Sequence, residues 1–143
     1  MSYIPDDLRR QVVERAQNNC EYCLLNQAYA LKSFEVDHIR AEKHGGSTTL
    51  DNLCLSCFDC NRHKGSGISS VDPFSDEVVP LFHPRRERWS EHFRLLDNGR
   101  IEGMTPRGRV TARLLNFNDP ERTALRAMLI ELRRYPSESD TTF

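Results

Sequence analysis

The sequence predicts a small α+β domain. Three observations predict it. Two C-x2-C pairs, Cys20/Cys23 and Cys57/Cys60, have 33 residues between them. Apolar residues recur at helical spacing near the start and in two stretches of the second half. Between and beside these, residues 33–39 alternate as a strand does and residues 93–104 read as a hairpin.

Residues 5–18 read as a helix. Pro5 suits its first turn, Asp6 and Asp7 meet the positive end of the dipole, and Leu8, Val12, Val13 and Ala16 share one face. Asn18 and Asn19 stop it, and Cys20-Glu21-Tyr22-Cys23 follows as a tight knuckle. Residues 33–39 form a strand with Phe34 and Val36 on one side, and His44-Gly45-Gly46-Ser47 is a turn. Leu50 to about Asn61 reads as one helix with Asp51 near its start, closed by Gly65-Ser66-Gly67. Residues 68–84, with prolines at 73, 80 and 84, read as mostly irregular. A hairpin turns at Asp97-Asn98-Gly99. Thr105-Pro106 opens a helix with Val110, Leu114 and Phe117 inward; Asn118-Asp119-Pro120 opens another, to about Arg134, with Leu125, Met128, Leu129 and Leu132 inward. From Pro136 the chain is a polar tail.

A chain of 143 residues, 38% hydrophobic and 29% charged, is long enough for one domain with a modest core. No apolar run can cross a membrane and the first residues do not form a signal peptide, so a cytoplasmic location is the default expectation. The net charge of −1 does not by itself point to a polyanionic partner, but its distribution is uneven. Residues 1–80 carry eight basic and twelve acidic side chains; residues 81–134 carry twelve arginines, no lysine and seven acids, and Glu138 and Asp140 follow. Arginine is the basic residue suited to bidentate phosphate contacts.

Five cysteines in such a chain argue against a disulfide framework and for metal binding. Four thiolates satisfy a tetrahedral zinc ion completely, so such a site is structural and cannot activate water. Cys54-x2-Cys57 is a third pair at the same spacing, and helical periodicity cannot say which two of Cys54, Cys57 and Cys60 are ligands. The long insert between the pairs contains Asp37-His38, which the metal would fix against the segment bearing Asn61.

The succession Cys20-x2-Cys23, Val36-Asp37-His38-Ile39, His44-Gly45-Gly46, Leu50-Asp51-Asn52-Leu53 and Cys57-x2-Cys60-Asn61-x2-Lys64 resembles the HNH endonucleases and their ββα-metal fold, over about residues 4–67. The resemblance implies that Cys20, Cys23, Cys57 and Cys60 bind a structural Zn²⁺, with Cys54 left in the core. It implies that Asp37 and Asn61 hold a catalytic divalent cation, Mg²⁺ or another, and that His38 is the general base activating water. These residue types suit phosphodiester hydrolysis, because a hard cation takes oxygen ligands and an imidazole accepts a proton near neutral pH. Products with a 5′-phosphate and a 3′-hydroxyl are implied too. Asn52 matches the middle asparagine of the family name and is expected to tie down the loop and orient His38. Lys64 and His44 are candidates to meet phosphates, with Arg62 and His63 weaker ones. On a regular strand Asp37 and His38 point to opposite faces, so both serve one site only where the strand ends or bends.

Residues 1–67 are thus read as a nuclease unit, 68–135 as an extension packed on it within one compact domain, and 136–143 as the tail. In the extension, Trp89, His92 and Phe93 are expected to pack against the nuclease unit. The other reading has Arg85, Arg86 and Arg88 tracking a phosphate backbone with Trp89 stacked on a base. Arg109 and Arg113 are expected to face outward and bind nucleic acid. The expected function is metal-dependent phosphodiester hydrolysis with DNA the favoured partner. The rival is a catalytically inactive zinc module that binds nucleic acid or protein. No motif assigns an oligomeric state.

Overall fold

A computed structural model describes residues 3–137. Glu138 and Asp140 of the expected polar tail lie outside the described residues. The fold is α+β: short helices and three two-stranded antiparallel sheets.

The first helix, α1 (Asp6–Ala16), starts after Pro5 and stops where Gln17 turns left-handed, at φ 54°. Its buried Val12 and Ala16 pack with Ile4, Leu53 and Leu55 in a small cluster. Arg15 adds a polar strap, donating to the carbonyls of Leu50 (2.9 Å) and Leu53 (2.7 Å). The knuckle follows, then a 3-10 turn (Gln27–Tyr29) and strand β1 (Glu35–His38).

The single helix expected over 50–61 is not formed. That segment divides into a 3-10 turn (Leu50–Asn52), strand β2 (Leu53–Ser56) and helix α2 (Phe58–Lys64). β2 pairs with β1 in the register Glu35↔Ser56, Val36↔Leu55, Asp37↔Cys54 and His38↔Leu53. All four β2 residues are buried. A short run buried on both faces carries no alternation, so its pattern does not separate strand from helix. The Cys57 sulfur then caps α2, accepting from the Cys60 N–H at 3.4 Å. Together β1, β2 and α2 make the expected ββα unit.

Residues 68–84 are also more ordered than expected. They form a hairpin of β3 (Ser69–Val71) and β4 (Val78–Pro80). Asp72, fully enclosed, organises its turn by accepting from the Phe74 N–H (3.3 Å) and the Ser75 hydroxyl (3.1 Å). A short helix α3 (Trp89–His92) leads into the hairpin β5 (Phe93–Leu95) and β6 (Ile101–Gly103). Helix α4 (Pro106–Leu114) starts as read, with the Thr105 hydroxyl accepting from the Gly108 N–H. Gly108 is needed there because a Cβ would stand 2.0 Å from the His92 carbonyl oxygen.

Helix α5 (Pro120–Glu131) is capped by Asp119 but its inward face differs from the apolar reading. Leu129 is buried and Leu125 partly so, whereas Met128 and Leu132 are about half exposed, at 51% and 58%. Arg126 takes the inner position instead, 2% exposed, donating to the carbonyls of Gly99 (2.6 Å) and Phe117. Those carbonyls end turns inside the protein, and a buried cation with fixed donors satisfies them where a methionine cannot.

The main core runs through both halves, from Cys20, Tyr22 and Ile39 to Trp89, Phe93, Phe117 and Tyr135. Among the described residues, no helix is long and apolar enough to cross a membrane.

Candidate active site

The sulfurs of Cys20, Cys23, Cys57 and Cys60 all lie within 4.8 Å of one another and are buried. Cys23 and Cys57 approach to 3.7 Å. A tetrahedral ion with bonds of about 2.3 Å requires sulfurs roughly 3.8 Å apart, so the cluster has the dimensions of a zinc site. Cys54 is excluded from it. It sits in the middle of β2, and burial foremost, with the nearby Asp37 carboxylate, pushes its thiol up to about 12. It remains a protonated core residue at neutral pH.

The extension holds the cluster from the far side. Arg122 of α5 donates to the Cys60 sulfur at 3.0 Å and lies 3.8 Å from that of Cys57. Four thiolates around a dication leave two net negative charges, and this guanidinium opposes them. The Trp89 indole N–H donates to the Tyr22 carbonyl (2.8 Å) and the Tyr135 hydroxyl to that of Cys23. Arg85 pairs with Glu21. Trp89 and Arg85 are therefore packing groups rather than a base-stacking surface and a phosphate track.

Asp37 and His38 end β1, against the ββα unit's other strand and helix. The two side chains have different polar partners at the end of the strand. The Asp37 side chain turns toward α2, where the Lys64 ammonium stands 3.8 Å from Oδ2. His38 turns toward the loop, and its Nε2 lies 2.9 Å from the Thr48 hydroxyl. Lys64 joins the two, since the same ammonium donates to the His38 carbonyl at 3.2 Å. Lys64 is only 4% exposed, a deeper position than a surface phosphate contact requires. Asn61 lies three residues before Lys64 on α2, a neighbouring position on the helix surface.

Asp37 Oδ2 is buried and accepts no hydrogen bond. Burial raises the carboxyl above its ordinary range, opposed by the Lys64 ammonium, the His38 backbone N–H and the His38 ring. A buried carboxylate oxygen that accepts no hydrogen bond suits a hard cation.

Asn52 bonds across the loop. Its Oδ1 accepts from the Arg40 N–H (3.0 Å), and its Nδ2 donates to the carbonyls of Arg40 (3.0 Å) and Ser47 (2.8 Å). Its own carbonyl takes the Ile39 N–H at 2.8 Å, directly after His38. Gly46 allows this closure: a Cβ there would stand 1.8 Å from the Arg40 carbonyl oxygen.

The other expected contacts are scattered. His44 ends a 3-10 turn (Glu42–His44) with its side chain exposed. Arg113 is exposed, but Arg109 does not face outward freely. It grips Asp72 through Nε (2.9 Å) and Nη2 (2.8 Å), which joins α4 to the β3–β4 turn. Sequence reading missed Thr48, Arg15 and Arg122, none of which belongs to a spaced motif.

Comparison with known proteins agrees with this geometry. Residues 20–67 match the model of the HNH endonuclease family. The chain carries an HNH segment. It is also 26% identical over 125 residues to the Septu protein PtuB of Bacillus thuringiensis, an alignment covering 86% of this chain and 46% of that protein. The chain thus spans about half the length of the curated relative it matches. No solved structure matches it.

Proposed function

We propose that the HNH segment is a divalent-metal-dependent endonuclease that hydrolyses phosphodiester bonds in DNA, with a structural zinc at Cys20, Cys23, Cys57 and Cys60. The observation that carries this reading is the unsatisfied, buried Oδ2 of Asp37, adjacent in sequence to His38, within a segment of HNH type. Asp37 and Asn61 would hold the catalytic cation, which when bound polarises the phosphate and stabilises charge on the leaving oxygen. His38 accepts the proton of the attacking water, and Thr48 fixes its ring. Asn52 keeps the loop and the end of β1 in register. Lys64 holds the His38 backbone and offsets the Asp37 charge in the absence of substrate.

That same ammonium is the one feature that favours the non-catalytic alternative, because it competes with a cation for Oδ2. A plasmid-nicking assay separates the two readings. Wild type is expected to cut with added Mg²⁺ and not without it. His38→Ala is expected to lose about 10²-fold or more in rate while keeping its fold and its DNA affinity. Equal background cutting by wild type and variant would leave the binding module.

A further inference from the structure

A cavity of about 310 Å³ opens where the end of β1 meets the segment that follows β4, and it belongs to both halves of the chain. Arg40, Lys64, Arg86 and Arg107 line it, with Glu87 as its carboxylate. Glu87 is already engaged: it accepts from the His83 N–H (2.8 Å), contacts Arg107 (3.3 Å) and lies 3.3 Å from His92 Nε2. Arg40 and Arg86 form no ion pair among the described residues. Both are exposed, whereas Lys64 is buried, so the cavity has a cationic rim and a cationic interior. Asn52 fixes the backbone of Arg40 through its N–H and its carbonyl.

We propose that this cavity is a phosphate-binding subsite that takes a backbone phosphate of the DNA strand next to the one being cut. The assignment to a strand rests on the nuclease reading above. Lys64 and Arg107 already hold Asp37 and Glu87, so Arg40 and Arg86 are the two guanidiniums left to favour an anion, with the planar donors that phosphate oxygens match. The volume lies at the small end of ligand cavities, enough for a phosphate with its sugar. Lys64 makes the cavity continuous with the candidate centre, since its ammonium also touches the His38 carbonyl. A strand held there runs past Asp37 and His38. Arg86 and Arg107 come from the extension, which thereby contributes to substrate binding as well as to packing.

The test uses the full chain carrying His38→Ala, so that bound DNA is not cut. Anisotropy of a short labelled duplex is measured between about 50 and 200 mM salt. Adding Arg40→Gln and Arg86→Gln is expected to weaken binding and to lower the log–log salt slope by about 0.9 for the phosphate lost. Arg10→Gln, on α1, is expected to change neither. Affinity and slope equal to the parent overturn the subsite, with circular dichroism confirming that each variant is folded. A second arm titrates a nucleoside monophosphate. If the double variant loses that binding while the duplex binds unchanged, the cavity serves a free nucleotide and the strand assignment is overturned. Plasmid nicking by wild type is read separately. Cutting together with unaltered variant binding removes the subsite alone, whereas variant-sensitive DNA binding without cutting removes the nuclease reading and leaves the subsite.

Discussion

Asn52 does the most positional work of any single side chain near the candidate centre. Its amide makes three hydrogen bonds that close residues 40–47 onto the 3-10 turn before β2. Asn52→Ala strands backbone groups in a half-buried loop and should cost about 2–3 kcal/mol in urea unfolding. Gly46→Ala should act on the same closure, because its Cβ has no room beside Arg40, and should likewise lower stability in urea unfolding. Thr48→Val keeps the shape but removes the His38 partner, so it should lower kcat more than KM in a nicking assay. A different residue governs the acid limb. The Arg109 guanidinium, with the Phe74 N–H and the Ser75 hydroxyl helping against burial, holds the Asp72 carboxyl down at about 2. A carboxyl depressed on folding stabilises the protein above its ordinary range near ~4 and loses that contribution as pH falls toward about 2. Asp72→Asn should flatten the stability curve across that window, as followed by thermal melts. The four clustered cysteines were legible in the sequence because zinc chemistry admits few residue types. Thr48 was not, since any hydroxyl that the fold brings to the ring would serve.

The elements were legible wherever termini carry signals. Pro5, Thr105-Pro106 and Asp119-Pro120 mark three helix starts, and Asp97-Asn98-Gly99 marks a hairpin turn. Strand β2 was not, because Leu53-Cys54-Leu55-Ser56 is buried throughout and gains its identity from pairing with β1. The inner face of α5 was misread for a related reason. Apolar spacing points to Met128 and Leu132, but the carbonyls of Gly99 and Phe117 call for the donors of Arg126. One turn earlier, Arg122 reaches across to the cysteine cluster, so α5 is a tether as much as a packing helix. Arg122→Ala removes the positive charge nearest the thiolates. It should weaken zinc retention about tenfold or more in competition with a chromophoric chelator, and Arg122→Lys should recover part of that loss.

Across the whole molecule, four of the twelve arginines of the second half are committed to partners within the protein. Arg85, Arg109, Arg122 and Arg126 hold Glu21, Asp72, cysteine sulfur and backbone carbonyls respectively. Charge composition alone therefore does not locate a cationic surface: Arg40 and Arg86 stand exposed at the seam cavity, and Arg88, Arg94, Arg100, Arg113, Arg133 and Arg134 are exposed elsewhere. The same inward contacts join the halves. Trp89 and Tyr135, from the extension, bond to the carbonyls of Tyr22 and Cys23 within the knuckle, and the main core runs across the seam. A metal site held this way cannot open while the extension stays docked, and the extension loses its anchor when the knuckle opens. Zinc release and loss of tertiary packing should then be one event. The chain has a single tryptophan, and it sits on the knuckle. Its fluorescence and the absorbance of a zinc indicator should follow the same urea curve with the same midpoint. A tryptophan transition completed at lower urea, with zinc still bound, would show that the extension is a separate unit resting on an independently stable HNH segment.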